Sequence, residues 1–390
     1  MDYEIVKLKE IADFNKESIG KNSNYEFINY LDTANITNGA IDTIVRMPIE
    51  EAPSRAKRVV HNNDMVYSTV RPNLCHYGIL DSPVENMIVS TGFTVISCKD
   101  DVNPYYVYNY LTQNDITSQL HSIAENSTSA YPSIKPSDLE SIEIKLPKLD
   151  IQNKIAKILT DIDKKIKINN EINNNLSEQL KTIFNDWFES KMSSGLPDNW
   201  KIVNLQEVST FSQGVQVPIE EQIEKPKEGF VRFIRIVDIT QGSDKEIRYI
   251  EDRDRGHVIE NEIFMTRYGT PGIISRNYNG IIANNLFKIT PSNDMTSNYL
   301  YSALSVDRIQ KYIRGNATSS TMPAISFSTL NNQKIIIPDC ETLEKFDKYS
   351  ETIREKQLNI TNENNELQQL RDTLLPKLMN GEIDLDNIEI

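Results

Sequence analysis

Few residues in this 390-residue chain have the types and spacing that covalent chemistry needs. Cys75 and His76 are adjacent, but a nucleophile's base is rarely its sequence neighbour, so the pair does not read as catalytic. His61, His76, His121 and His257 lie far apart, and Cys75, Cys98 and Cys340 are odd in number and scattered, so no metal spacing emerges. Asn103-Pro104-Tyr105-Tyr106 lacks the second proline of the loop that holds a flipped adenine for methylation and reads as a turn. The chain contains no Gly-x-x-x-x-Gly-Lys-Ser/Thr phosphate loop. No catalytic or metal-binding residue is therefore assigned.

The residues that remain suit recognition. Arginine can grip guanine with two hydrogen bonds, asparagine can do the same for adenine, and lysine suits phosphate. In the first half of the chain the candidates for touching DNA are Arg55, Lys57, Arg58, Arg71, Asn73, His76 and Tyr77. A hydroxyl-rich loop adds Ser127, Thr128, Ser129 and Tyr131. The second half offers Arg253, Arg255, Arg267, Tyr268, Arg276, Asn284 and Asn285, with a matching loop of Thr318, Ser319, Ser320 and Thr321. Charge works against a simple DNA binder, because the net charge is −14. Residues 1–147 carry 12 Lys+Arg against 20 Asp+Glu, while residues 196–339 are nearly balanced at 16 against 17. Phosphate neutralisation must then come from local patches or from partners.

These candidates sit in a duplicated frame. Ile134–Pro147 aligns with Ile325–Pro338 at an offset of 191 positions, and the same offset pairs Thr182-Ile183-Phe184 with Thr373-Leu374-Leu375. Upstream, with small gaps, Tyr106-Val107-Tyr108 meets Tyr299-Leu300-Tyr301 and Asn86–Val89 meets Asn279–Ile282. Asp64–Thr69 meets Asn261–Thr266, so that Arg267-Tyr268-Gly269 replaces Val70-Arg71-Pro72. A period this long is a duplicated module, not a solenoid. Short β-branched and aromatic runs separated by turn glycines, with helical patches near 105–120 and 299–313, give each module an α+β character. The expected domains are 1–148, a helix over 149–192, 193–339, and a helix over 340–390.

Every seventh residue of the first helix gives Ile155, Ile162, Asn169, Leu176 and Ile183. The offset of 191 carries this series to Phe346, Ile353, Ile360, Leu367 and Leu374. This is a coiled-coil seam, and a single buried Asn commonly fixes register. Two helices supplied by a direct repeat pack most simply antiparallel, with a pseudo-twofold axis relating the two modules. About 37 residues at ~1.5 Å each span ~55 Å, more than one turn of B-DNA. The expected target is thus bipartite and asymmetric, with an unread gap.

The residues also carry a family resemblance. Thr182–Phe188 followed by Gly195–Lys201 resembles the central region of type I restriction-modification specificity subunits. Leu374–Ile383 is similar to that family's terminal region, and Asp64–Asn73 to a segment of its target-recognition domains. The resemblance implies a DNA-reading subunit without catalysis of its own. Two methyltransferase subunits would dock on it, largely through the helices, and two motor-nuclease subunits could join. S-adenosylmethionine, ATP and magnesium would belong to those partners, and adenine N6 would be the modified atom. The absence of a basic-then-apolar leader or an eighteen-residue apolar run sets the expected location in the cytoplasm. Two other readings stand beside it. One is a stand-alone DNA-binding or coiled-coil scaffold protein; the other is an acidic mimic of DNA.

Overall fold

The computed structural model describes residues 2–20, 25–127, 131–240, 247–292, 295–317 and 323–385. The chain divides into two compact units, Met1–Ile168 with Asn364–Ile390, and Asn169–Glu363. Each long helix is shared between units, because the apolar ends of the helices are what close the module cores.

In the first unit, strand Tyr3–Lys7 pairs antiparallel with Glu143–Pro147, which ties the two ends of the module together. One four-stranded sheet has the order Ala12–Phe14, Phe93–Cys98, Met65–Ser68, Tyr77–Ile79. A second has the order Val45–Pro48, Phe27–Leu31, Met87–Ser90, Ala56–Val59, and its central pair is parallel. Met65–Ser68 and Met87–Ser90 are buried at every position, so these central strands read as unbroken apolar runs instead of alternating ones. Helices Pro104–Leu111, Asn114–Glu125 and Pro136–Glu140 complete the module.

The second unit repeats these three sheets in the same plan, whereas the small hairpin Ile36–Thr37 with Ala40–Ile41 of the first has no counterpart among the described residues. Lys201–Asn204 pairs with Lys334–Ile337. The all-antiparallel sheet runs Ser209–Gln213, Leu286–Pro291, Ile263–Thr266, Ile274–Ser275. The mixed sheet runs Arg248–Glu251, Phe230–Ile234, Gly280–Ile282, His257–Val258, again with a parallel central pair. Helices Ser297–Ser305, Asp307–Gly315 and Phe327–Asn331 follow. The repetition extends to single hydrogen bonds. Buried Tyr299 donates its hydroxyl to the Ile336 carbonyl at 2.8 Å, and buried Tyr106 donates to the carbonyl of Lys145, 191 positions earlier. Burial pushes both phenols above the usual tyrosine pKa. Tyr106→Phe and Tyr299→Phe should each cost about 1 kcal/mol in denaturant unfolding, since each leaves a carbonyl short of a donor.

The register fixes one alignment that the sequence left a residue out. Met65 pairs with Ile96, and Ile263 pairs with Ile289. Asp64 accepts a hydrogen bond from the His61 amide at 2.7 Å, and Glu262 accepts one from the Ile259 amide at 3.0 Å. Met65 therefore corresponds to Ile263, and Arg267-Tyr268-Gly269 stands in place of Thr69-Val70-Arg71, not of Val70-Arg71-Pro72.

The long helices are Leu149–Phe184 and Cys340–Met379. Within the second unit they run antiparallel. Asn169 donates to Glu363 at 2.7 Å, Asn173 to Thr361 at 3.5 Å, and Gln357 to Ser177 at 2.8 Å. Within the first unit Arg371 meets Asp163 at 2.7 Å, an ion pair rather than an aligned hydrogen bond, and Lys154 donates to the Leu385 carbonyl at 2.9 Å. Ile155, Ile162, Asn169, Phe346 and Ile353 are buried, and Leu176, Ile183, Ile360, Leu367 and Leu374 are half-buried. The first core takes in Ile151, Ile155 and Leu159 from one helix and Leu375, Leu378 and Met379 from the other. The second takes in Leu180 and Phe184 with Phe346 and Ile353.

Candidate nucleic-acid interface

In the first module Arg71, Asn73 and His76 lie on or next to one turn, with Tyr131 beside Arg71. Val70 bridges to Ser133, the Arg71 amide donates to the Pro132 carbonyl at 2.9 Å, and the Ile134 amide donates to Thr69 at 2.8 Å. A short turn over Pro72–Leu74 lies between two left-handed residues, Arg71 at φ 48° and Cys75 at φ 54°. The Arg71 guanidinium lies 5.2 Å from the centre of the Tyr131 ring, and Tyr131 is 60% exposed. Asn73 is exposed on the same turn. His76 is half-buried, with Nδ1 2.7 Å from the Ile36 carbonyl oxygen, so that nitrogen carries a proton. Ser127 accepts from the Ser133 amide at 3.3 Å.

Tyr77 lies in the core: it is 6% exposed, stacks on Tyr67 at 5.2 Å and donates to Asn38 at 3.2 Å. Arg55 is exposed, 3.9 Å from Asp32, and Lys57 is exposed on strand Ala56–Val59. Arg58 donates to Ser18 at 3.2 Å across a strand edge.

The second module places Arg267 and Tyr268 on the matching loop. The Arg267 guanidinium lies 5.0 Å from the Tyr268 ring centre and 5.5 Å from that of Phe327, and Nε donates to the Ile325 carbonyl at 3.2 Å. Tyr268 bridges to Ala324 as Val70 does to Ser133. Asn285 accepts from the Arg267 amide through its carbonyl, and Asn284 donates to Gln216 at 3.4 Å. Arg253 pairs with Glu221 at 2.6 Å, and Arg255 is exposed. Thr128, Ser129, Thr318, Ser319, Ser320 and Thr321 lie outside the described residues.

Arg276 is buried as well. It is 6% exposed, lies 4.0 Å from the Tyr301 ring centre, and donates to Asn298 at 2.8 Å and to Gln357 at 3.4 Å. Burial pushes its guanidinium pKa down. It is the module end of a network that the sequence did not reveal. Asn298 donates to Glu351 at 2.8 Å, Arg354 clasps Glu351 with contacts of 2.6 to 3.1 Å, and Arg354 donates to Asn277 at 3.1 Å. This network fastens the hairpin at 274–277 to the second long helix. A second fastening joins Arg308 to Glu189 through two hydrogen bonds of 3.0 Å. The only local signal was the i, i+3 spacing of Glu351 and Arg354 on one helix face.

Among the described residues no group of three or more His, Cys, Asp or Glu could hold a metal ion. No helix among them is long and apolar enough to cross a membrane. The arrangement instead offers, twice, an arginine on an aromatic ring. Residues 1–178 and 197–368 match the type I restriction modification DNA specificity domain. The chain belongs to that family. Among curated type I specificity subunits, it is 25% identical over 435 residues to the specificity subunit of type I restriction enzyme HindI from Haemophilus influenzae, covering 92% of this chain and 95% of that protein. It is 23% identical over 420 residues to the MjaIX specificity subunit from Methanocaldococcus jannaschii, covering 99% and 95%. The fold is similar to that of the type I S subunit of M. genitalium, at 15% identity and TM-score 0.54, covering 97% of this chain and 96% of that one.

Proposed function

We propose that this specificity subunit reads a bipartite, asymmetric DNA target, one half-site with each module, and leaves the bases between them unread. The observation that carries this reading is the duplication of the module's three sheets within one chain. Two readers of the same design but different loop residues are covalently joined, so their half-sites need not match. The subunit docks two methyltransferase subunits, and two motor-nuclease subunits can join; it performs no catalysis. S-adenosylmethionine, ATP and magnesium serve the partners, and the complex works in the cytoplasm. The net charge of −14 supports division of labour, because partners must supply much of the phosphate contact.

The test is co-expression with the methyltransferase, followed by mapping of methylated adenines. A split motif is expected, and replacing residues 1–147 with another module should change one half of it only. No split motif, or a change in both halves, would contradict the reading. A chain that purifies stably, ignores the methyltransferase and binds DNA alone would favour the scaffold alternative.

A further inference from the structure

The duplicated module lets the chain serve as its own control. Arg71 adopts φ 48°, a left-handed conformation that L side chains disfavour. The corresponding residue of the second module is Gly269, at φ 74°. The equivalence is fixed by backbone bonding: the Arg71 amide donates to the Pro132 carbonyl and the Gly269 amide to the Pro323 carbonyl, both at 2.9 Å. A Cβ built on Gly269 would meet only the Ile236 Cδ1 at 3.8 Å, an ordinary contact. Glycine therefore suits this position for its backbone freedom and not for lack of room. The first module keeps an arginine where the turn itself favours glycine, so the side chain must serve something other than folding.

The second module relaxes the turn with Gly269 and mounts its arginine two residues earlier, as Arg267. Both guanidinium groups rest on rings, Arg71 on Tyr131 and Arg267 on Tyr268 and Phe327. A guanidinium plane held against a ring is pre-set for a two-pronged contact to the O6 and N7 edge of guanine, the commonest specific base contact.

We infer that Arg71 and Arg267 each read a guanine, one in each half-site. The inference rests on the DNA-reading role proposed above. The experiment maps methylation by complexes carrying wild-type chain, Arg71→Gly, Arg71→Lys or Arg267→Lys, and records thermal melting of each chain. Arg71→Gly should melt at an unchanged temperature or up to about 2 °C higher, because it relieves the turn. It should also lose about ten- to hundredfold discrimination at one guanine of one half-site. Arg71→Lys should melt normally and lose the same discrimination, and Arg267→Lys should relax one guanine in the other half-site. An unchanged motif would overturn the inference. So would uniform weakening over all sequences with a shallower salt dependence, which marks a phosphate contact. A fall in melting temperature of more than about 2 °C for Arg71→Gly would refute the strain argument. If the wild-type complex methylates no split motif, the proposed function fails first; if it does and the variants match it, only this inference fails.

Discussion

Phe346→Ala should lower the stability of the second unit by about 3–5 kcal/mol, the range for deleting a fully enclosed aromatic side chain. Phe346 is completely buried and touches rings from three parts of the unit. Its ring centre lies 5.5 Å from Phe184 on the first long helix, 5.2 Å from Phe188 in the π-helical turn Asn185–Glu189 that follows it, and 5.9 Å from Tyr299 in the module. All three pairs are edge-on, the geometry in which aromatic contacts gain beyond simple area burial. Truncation would leave a cavity that three rigid neighbours cannot collapse to fill. Denaturant unfolding followed by tryptophan fluorescence suits the measurement, since Trp187 lies 6.1 Å from Phe346. A loss below about 1 kcal/mol would mean that the helix end is not part of the module core.

Glu351→Ala should cost about 2–3 kcal/mol, less than for a fully enclosed ion pair because the Glu351 side chain is 36% exposed. The loss arises because Arg354 stays buried without its carboxylate acceptor, and Arg276 loses a neighbouring opposite charge. Glu351→Gln keeps the shape and should cost about half as much. The same group sets a pH dependence. Hydrogen bonds from Arg354, ahead of those from Asn298 and the charge of Arg276, hold the Glu351 carboxyl down to about 2. A depressed acid stabilises the fold fully above its unfolded pKa of about 4.3, and that contribution disappears as pH falls toward 2. The wild-type chain should therefore lose stability between about pH 4.5 and 2 more steeply than Glu351→Gln. Parallel curves for the two proteins over that window would contradict the assignment.

The duplication was legible because it is ungapped over long stretches, and a shared offset survives any divergence of side chains that keeps the backbone. The helix seam was legible because its period repeats for five turns of the heptad. The one-residue slip near Asp64 came from matching Thr69 with Thr266, a coincidence of hydroxyls. What the fold keeps is the carboxylate cap, Asp64 in one module and the longer Glu262 in the other. The burial of Arg276 and Tyr77 was not legible for a different reason. Both sit among polar or small residues, and their burial depends on partners far along the chain, such as Asn298, Tyr301 and Gln357 for Arg276. No local pattern encodes that. The left-handed backbone at Arg71 was equally hidden, because nothing in Arg71-Pro72-Asn73 announces a positive φ.

The first compact unit is assembled from two stretches separated by nearly two hundred residues, whereas the second is continuous. During synthesis the second unit can close as soon as its own residues have emerged. The earlier-made module must wait for Leu375, Leu378, Met379 and Leu385 before its apolar face is covered. At roughly 5–20 residues per second that delay is on the order of ten to forty seconds. The nascent chain should thus be most sticky late in translation, and a ribosome stalled before the final helix should recruit chaperones to the oldest part of the polypeptide.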